Sequence, residues 1–321
     1  MPPTAFPFNR TKLVSGPGTF YYGPYGAPPK TTKIFSSTGI TAELDAVLEK
    51  LPSDLLGTLD TIKTDQLAHI RVTNTGHLSK EVFDLLYPWR APLKSRGMGV
   101  FGLKDVIAAV HSTAGIKVSF KNCALVSPPE LTLSRTKTAF GEAEFLGLVG
   151  LDGDTSADLH VITEEEYPSE DFPLLTALGL TGAIYTATWD DMDLTGTKGG
   201  WRVSVEPELV DLQCDELGTI DKILGDVVVT ARCEPMGWTE KQILDRSPVS
   251  VGLGMSVVKA KPLVITGSNG LKVTLYNAAL TRAPVRWGKT ETRVGEIAFE
   301  AHVGQDGKLY DIEYTPPTTP S

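Results

Sequence analysis

The sequence has little cysteine: three in 321 residues, Cys123, Cys214 and Cys233, with no C-x-x-C pair. Three thiols make no disulfide framework, so a reducing compartment is the simple reading. Positive charge is also short. Thirty Lys and Arg against 39 Asp and Glu give a formal net charge of −9. A surface that grips nucleic acid by neutralising phosphates needs the opposite balance. No apolar run reaches the roughly 18 residues of a membrane span. The opening MPPTAFPFNR lacks the basic and apolar regions of a secretion signal, so none is expected. The five histidines stand at 69, 77, 111, 160 and 302, without metal-ligand spacing.

Reactive motifs are missing too. No G-x-x-x-x-G-K-[ST], H-E-x-x-H or G-x-S-x-G occurs. Gly16-Pro-Gly18 and Gly252-Leu-Gly254 leave G-x-G-x-x-G incomplete and read as turn glycines. Asp190-Asp191-Met-Asp193 lacks the spaced carboxylates of a calcium loop and reads as an acidic turn. Cys123 aligns with Ala278 and Cys233 with Thr75 in the repeat described next, which does not suggest a nucleophile. No catalytic, cofactor or metal site is expected, and the chain does not read as an enzyme.

What the chain does have is an apolar share of 41%, enough to bury a core, with 31 Gly and 22 Pro that favour turns and strands over long helices. It also repeats itself, at a spacing of about 155–161 residues. Gly115-Ile-Lys-Val-Ser-Phe-Lys-Asn122-Cys-Ala-Leu125 reads against Gly270-Leu-Lys-Val-Thr-Leu-Tyr-Asn277-Ala-Ala-Leu280. Thr136 to Phe145 then reads against Thr290 to Phe299, and Val149 to Gly153 against Val303 to Gly307. About 16 of about 39 aligned positions are identical. Upstream, Leu56-Gly57-Thr58-Leu59-Asp60-Thr-Ile62 matches Leu217-Gly218-Thr219-Ile220-Asp221-Lys-Ile223, and Gly97-Met98 matches Gly254-Met255. The order is the same in both halves, as in a tandem duplication of one domain.

The repeat reads as antiparallel strands with one short helix. Trp201 to Val205 and Asp226 to Arg232 are β-branched runs suited to strands. Ser79 to Leu86 places Val82, Phe83 and Leu86 on one helical face, and Thr239-Glu-Lys-Gln242 is a capping box before Ile243-Leu244. Asn269-Gly270 between two alternating runs predicts a hairpin with positive φ at both turn residues. Glu296 to Val303 and Leu309 to Tyr314 predict a second hairpin around Asp306-Gly307.

The expected organisation is an extended N-terminal arm at 1–33, a first domain at 34–153, a linker or insertion at 154–180, a second domain at 181–314, and a tail at 315–321. The arm and tail are too rich in Pro and too short to pack a core alone. The expected fold class is mainly β, two tandem antiparallel β-sandwich or barrel domains with a short helix each.

The stretch from Glu208 through Asp215-Glu-Leu-Gly218-Thr-Ile-Asp221-Lys-Ile223-Leu-Gly225 resembles the strand-loop stretch of phage tail tube proteins. The order that follows is similar to that family as well: helix, a Gly-x-Lys-Val-x-x-x-Asn-x-Ala-Leu strand, then Gly-Glu-x-x-Phe and a terminal strand. The resemblance covers most of both repeats and neither the head, the linker nor the tail. Family members often carry one domain and form hexameric rings, so two domains in one chain imply a trimeric pseudo-hexamer.

The resemblance implies a siphophage major tail tube subunit, assembled in the host cytoplasm and located in the virion tail. It implies stacked trimer rings around a lumen through which DNA passes without specific binding. A tape-measure protein, a tail terminator and a distal tail protein are the implied partners, and no membrane is. Six domains lending four strands each make a wall of about 24 strands, hence a backbone diameter of roughly 45–50 Å and a bore of about 35–40 Å. An acidic chain suits a conduit for DNA, because a basic lining holds phosphates.

Gly57, Thr58, Asp60 and Ile62, with Gly218, Thr219, Asp221 and Ile223, are the candidate subunit and inter-ring contacts. Two other readings stay open: a distal-tail or baseplate-hub ring, and a β-sandwich carbohydrate-binding or adhesin module using Tyr21, Tyr22 and Tyr25 or Trp189 and Trp201 as stacking platforms.

Overall fold

The computed structural model describes residues 18–24, 32–54, 57–74, 78–100, 106–112, 116–121, 123–136, 138–148, 160–164, 183–190, 192–214, 218–236, 242–243, 245–258, 261–287, 292–304 and 306–316. The fold is mainly β. In the first half the order is β1 (Gly18–Pro24), β2 (Thr32–Ser53), β3 (Gly57–Asn74), α1 (Lys80–Leu86), α2 (Pro92–Ser95), β4 (Val106–Ser112), β5 (Ile116–Lys121), β6 (Cys123–Ser127), β7 (Leu131–Leu133), β8 (Thr138–Phe140), β9 (Glu142–Leu148) and β10 (His160–Glu164). The second half runs β11 (Tyr185–Trp189), β12 (Met192–Asp193), β13 (Thr197–Cys214), β14 (Gly218–Pro235), β15 (Leu263–Gly267), β16 (Leu271–Leu275), β17 (Ala279–Arg282), β18 (Val285–Trp287), β19 (Thr292–Val294), β20 (Ile297–Glu300) and β21 (Tyr310–Tyr314).

All pairings between these strands are antiparallel. In the first half the order is β10-β5-β4-β1-β2-β3-β9-β6. In the second half the same pattern recurs as two pieces, β21-β16-β15-β11 and β13-β14-β20-β17. The long hairpins match residue for residue. Ser53 pairs with Gly57 and Ile40 with Val72; Cys214 pairs with Gly218 and Trp201 with Cys233. Each partner lies 161 residues after its counterpart, and the three register shifts of β2–β3 fall at the same places in β13–β14. Cys233 therefore occupies the place of Val72, not of Thr75 as the sequence alignment has it.

The recurrence extends to side chains. The Tyr22 hydroxyl donates to the carbonyl of Cys123 at 3.1 Å, and the Trp189 indole N–H donates to that of Ala278 at 3.1 Å. Tyr22 packs 5.3 Å from the ring of Phe145, and Trp189 lies 4.9 Å from Phe299. Tyr22 and Trp189 are thus counterparts, although sequence comparison shows no duplicated aromatic pair. Each fills a core site and satisfies its polar tip on the backbone.

α1 forms where the spacing places it. Ser79 accepts a hydrogen bond from the Val82 N–H, and Val82, Phe83 and Leu86 are buried. In the second half residues 242–243 are helical, with Ile243 buried; Thr239, the start of the expected capping box, lies outside the described residues. The Asn269-Gly270 hairpin forms between β15 and β16, with a longer loop than expected. Gly270 donates to the Gly267 carbonyl at 3.0 Å and takes φ 83°, while Asn269 keeps negative φ. That is a turn closed by a left-handed glycine, the three-residue alternative to a two-residue loop.

Three expectations are corrected. Glu296 to Val303 and Leu309 to Tyr314 do not form a hairpin: β20 pairs with β14 and β17, whereas β21 pairs with β16 in the other sheet. Both segments carry apolar residues because both pack on the core, Ile297 to Phe299 in one sheet and Tyr310 and Ile312 in the other. The expected N-terminal arm does not stand apart from the core throughout. Gly18–Pro24 lies between β2 and β4, where Phe20 is fully buried against Phe145. The first domain does not end at 153, since His160–Glu164, placed in the expected linker, is the edge strand beside β5. Residues 1–17, 25–31, 154–159, 165–180 and 317–321, which hold the rest of the expected arm, linker and tail, lie outside the described residues.

Candidate functional site

β2–β3 and β13–β14 are longer than the core is wide. Trp201, Val203 and Val205 alternate inward along β13, but from Glu206 onward that strand has no buried residue. Leu48, Leu51, Leu59 and Ile62 are likewise exposed on β2–β3, Leu59 by 60%. A hairpin that carries exposed leucines and isoleucine past its own core presents an apolar surface suited to contact with protein. The eight candidate contact residues sit at the tips of these two hairpins, and the structure treats the two sets differently.

Gly57, Thr58, Asp60 and Ile62 are exposed. Their counterparts are covered by the first half of the same chain. Thr219 is buried and donates its N–H to Asp65 Oδ2 at 3.0 Å. The Asp65 carboxyl carbon lies 2.7 Å from where a Gly218 Cβ would stand. Gly99 makes a β-bridge with Ile223 and packs against the Asp221 side chain. Gly97 N–H donates to the Leu224 carbonyl at 2.8 Å, Val100 N–H to Lys222 at 2.9 Å, and Leu224 N–H to Met98 at 3.2 Å. A short stretch of the first half therefore adds to the edge of β14.

A second joint lies beside it. β7, from the first half, pairs with β13 from the second: Leu131 opposite Val203, Thr132 opposite Arg202, Leu133 opposite Trp201. β8 continues the same sheet. Leu131, Leu133, Trp201 and Val203 are all buried, and each such side chain contributes about 1.5–3 kcal/mol relative to exposure. Asn269 closes the joint with polar contacts. Its Nδ2 donates to Tyr185 Oη at 3.1 Å and to Thr138 Oγ1 at 3.3 Å, and Thr138 and Tyr185 also bond to each other. Also between the halves, Arg90 pairs with Asp311 at 3.3 Å and Phe83 lies 6.2 Å from Tyr314.

Sequence reasoning missed β7–β8, Gly97–Val100 and Asp65 as joint elements. The available signal was the alternation Leu131-Thr-Leu133, which recurs as Val285-Arg-Trp287 in the second half.

The acidic turn has local partners. Asp190 pairs with Lys261 at 2.8 Å, and hydrogen bonds from the Thr195 side chain and, at 2.8 Å, from its backbone N–H hold the Asp193 carboxyl below the usual range. Burial, with the Glu296 charge, pushes the Cys233 thiol up, which disfavours a thiolate. Trp189 and Trp201 are 2% and 1% exposed, too little for a stacking platform. Among the described residues, no helix is long and apolar enough to cross a membrane. No protein-family model matches the chain, and no curated protein is similar to it at a significant level.

Proposed function

We propose that this chain is a structural virion protein, the major tail tube subunit of a siphophage. It polymerises as stacked trimeric, pseudo-hexameric rings that conduct phage DNA. The observation that carries the reading is the recurring half joined side by side to its neighbour by strand addition. Such a joint is heterologous, and heterologous contacts build rings when the rotation closes.

Each half supplies a run of four neighbouring strands that includes a long hairpin, β2-β3-β9-β6 and β13-β14-β20-β17. Six such sheets make a wall of about 24 strands, wide enough for B-form DNA. The net charge of −9 suits a lining on which phosphates slide. Leu51 and Leu212, exposed at the same place on the two long hairpins, belong to the surface offered to the next ring. A tape-measure protein, a tail terminator and a distal tail protein complete the assembly. The role is mechanical, without turnover.

Immunogold labelling of virions with antibodies against the purified chain tests this. Gold along the whole tail supports the tube. Gold confined to the tail tip assigns the chain to the hub ring, and unlabelled virions remove it from the tail.

A further inference from the structure

The joint inside the chain has a vacant counterpart at each end. The segments of the first half that add to β13 and β14 recur in the second half, and the edges that receive them recur in the first. β7–β8 corresponds to β18–β19, which among the described strands pair only with each other. The receiving edge of β13 corresponds to β2 beyond Phe35, which among the described residues pairs only with β3.

Exposure follows the same division. Val203 is buried beneath β7, and its counterpart Ala42 is exposed; Trp201 is buried, and Ile40 is half-buried. Thr219 is buried, and Thr58 is exposed. Gly200 and Gly39 make the clearest pair. Both have positive φ, 87° and 103°. A Cβ on Gly200 would overlap the carbonyl oxygen of Leu133, so glycine lets β7 approach; at Gly39 the same space is open.

We infer that β18–β19 of one copy adds to β2 of a second copy, in the register by which β7–β8 adds to β13. Ala42 then stands opposite Val285 of the partner subunit, Thr41 opposite Arg286 of the partner subunit, and Ile40 opposite Trp287 of the partner subunit. Gly254-Met255 repeats Gly97-Met98, so the segment after it meets the partner's β3 near Thr61–Lys63, as Gly97–Val100 meets Lys222–Leu224. The occupant is a second copy because the covered joint is made by this same chain against itself. The joint rests on the repeat alone; its closure after three chains rests on the tube reading above.

The copy-to-copy joint is weaker than the internal one. Asn269 corresponds to Ala114 and Tyr185 to Gly18, so the polar cluster with Thr138 has no equivalent there. Association therefore depends on concentration, while the two halves of one chain stay together.

Cysteine cross-linking tests the register. In a Cys214→Ser background, Ala42→Cys in one preparation is mixed with Val285→Cys in another under mild oxidation. Cross-strand neighbours lie within disulfide reach. The expected product is a mixed dimer, with no dimer from either variant alone. The double variant Ala42→Cys/Val285→Cys gives a ladder that stops at three chains. Thr41→Cys with Arg286→Cys serves as a second in-register pair, and Ala42→Cys with Trp287→Cys, out of register, gives no product.

Circular dichroism and the unfolding midpoint of each variant confirm the fold. Chains that sediment as monomers at the highest soluble concentration overturn the joint. Tubes without the 42–285 link also overturn it and leave the tube reading standing. The 42–285 link in open chains that never close keeps the joint and overturns the ring.

Discussion

Trp201 stands opposite Leu133 across two neighbouring antiparallel strands, one from each half of the chain. Their pairing joins the two halves of the chain in one sheet. If the joint organises the molecule, damage to it lowers stability, and damage to its exposed counterpart lowers assembly alone.

Asp221 and Asp60 are the sharpest pair for this separation. Asp221 packs against Gly99 within the joint, while Asp60 lies on the exposed tip. Asp221→Lys should cost about 1–3 kcal/mol in urea unfolding, as for a disrupted packed site, and Asp60→Lys no more than about 0.5 kcal/mol. Asp60→Lys should nonetheless reduce sedimentable assemblies. Equal stability losses in the two variants would contradict the asymmetry.

Asn269 bonds both Tyr185 and Thr138 and is itself buried. Asn269→Ala should destabilise the chain by about 1–3 kcal/mol, because polar partners are left unsatisfied. A chemical denaturation curve with an unchanged midpoint would remove the cluster from the joint.

The recurring aromatic sites should respond alike. Tyr22→Phe removes the bond to the Cys123 carbonyl at a cost of about 0.5–1.5 kcal/mol. Phe145→Ala and Phe299→Ala, which strip the ring beneath Tyr22 and Trp189, should each cost about 3–5 kcal/mol. Thermal unfolding of the three variants checks both values.

Alkali should unfold the protein through its buried tyrosines. Burial raises the hydroxyl pKa of Tyr310 and of Tyr87 far above that of an exposed tyrosine. The unfolded chain loses these protons first, so the stabilisation is complete below pH 10 or so and falls as pH climbs beyond it. Tyrosinate absorbance at 295 nm should rise together with loss of the β signal. Full ionisation with the fold intact would contradict the burial.

Much of this architecture is legible in the residues. Val82, Phe83 and Leu86 announce α1, and the Gly57 and Gly218 loops announce two hairpins of one kind. What alternation does not state is the partner. Ile297 and Phe299 alternate like Tyr310 and Ile312, yet the two runs belong to different sheets because both faces of the core need apolar side chains. β1 hides in a head dominated by Pro and Gly, and is ordered by Phe20 and Tyr22 against Phe145. His160–Glu164 holds the β-branched run Val-Ile-Thr, but it is short, runs into Glu165-Glu166, and is an edge strand paired on one side only. The joint was illegible for a related reason. Leu131–Leu133 finds its partner in the other repeat, and a three-residue strand carries too few positions to name it.

Electron microscopy of the purified protein, stained at its highest soluble concentration, separates a tube-forming subunit from a monomer. A tube subunit should give rings or tubes with a central hole of about 40 Å, three-fold in chains and six-fold in repeated halves. Isolated two-lobed particles at every concentration would contradict it.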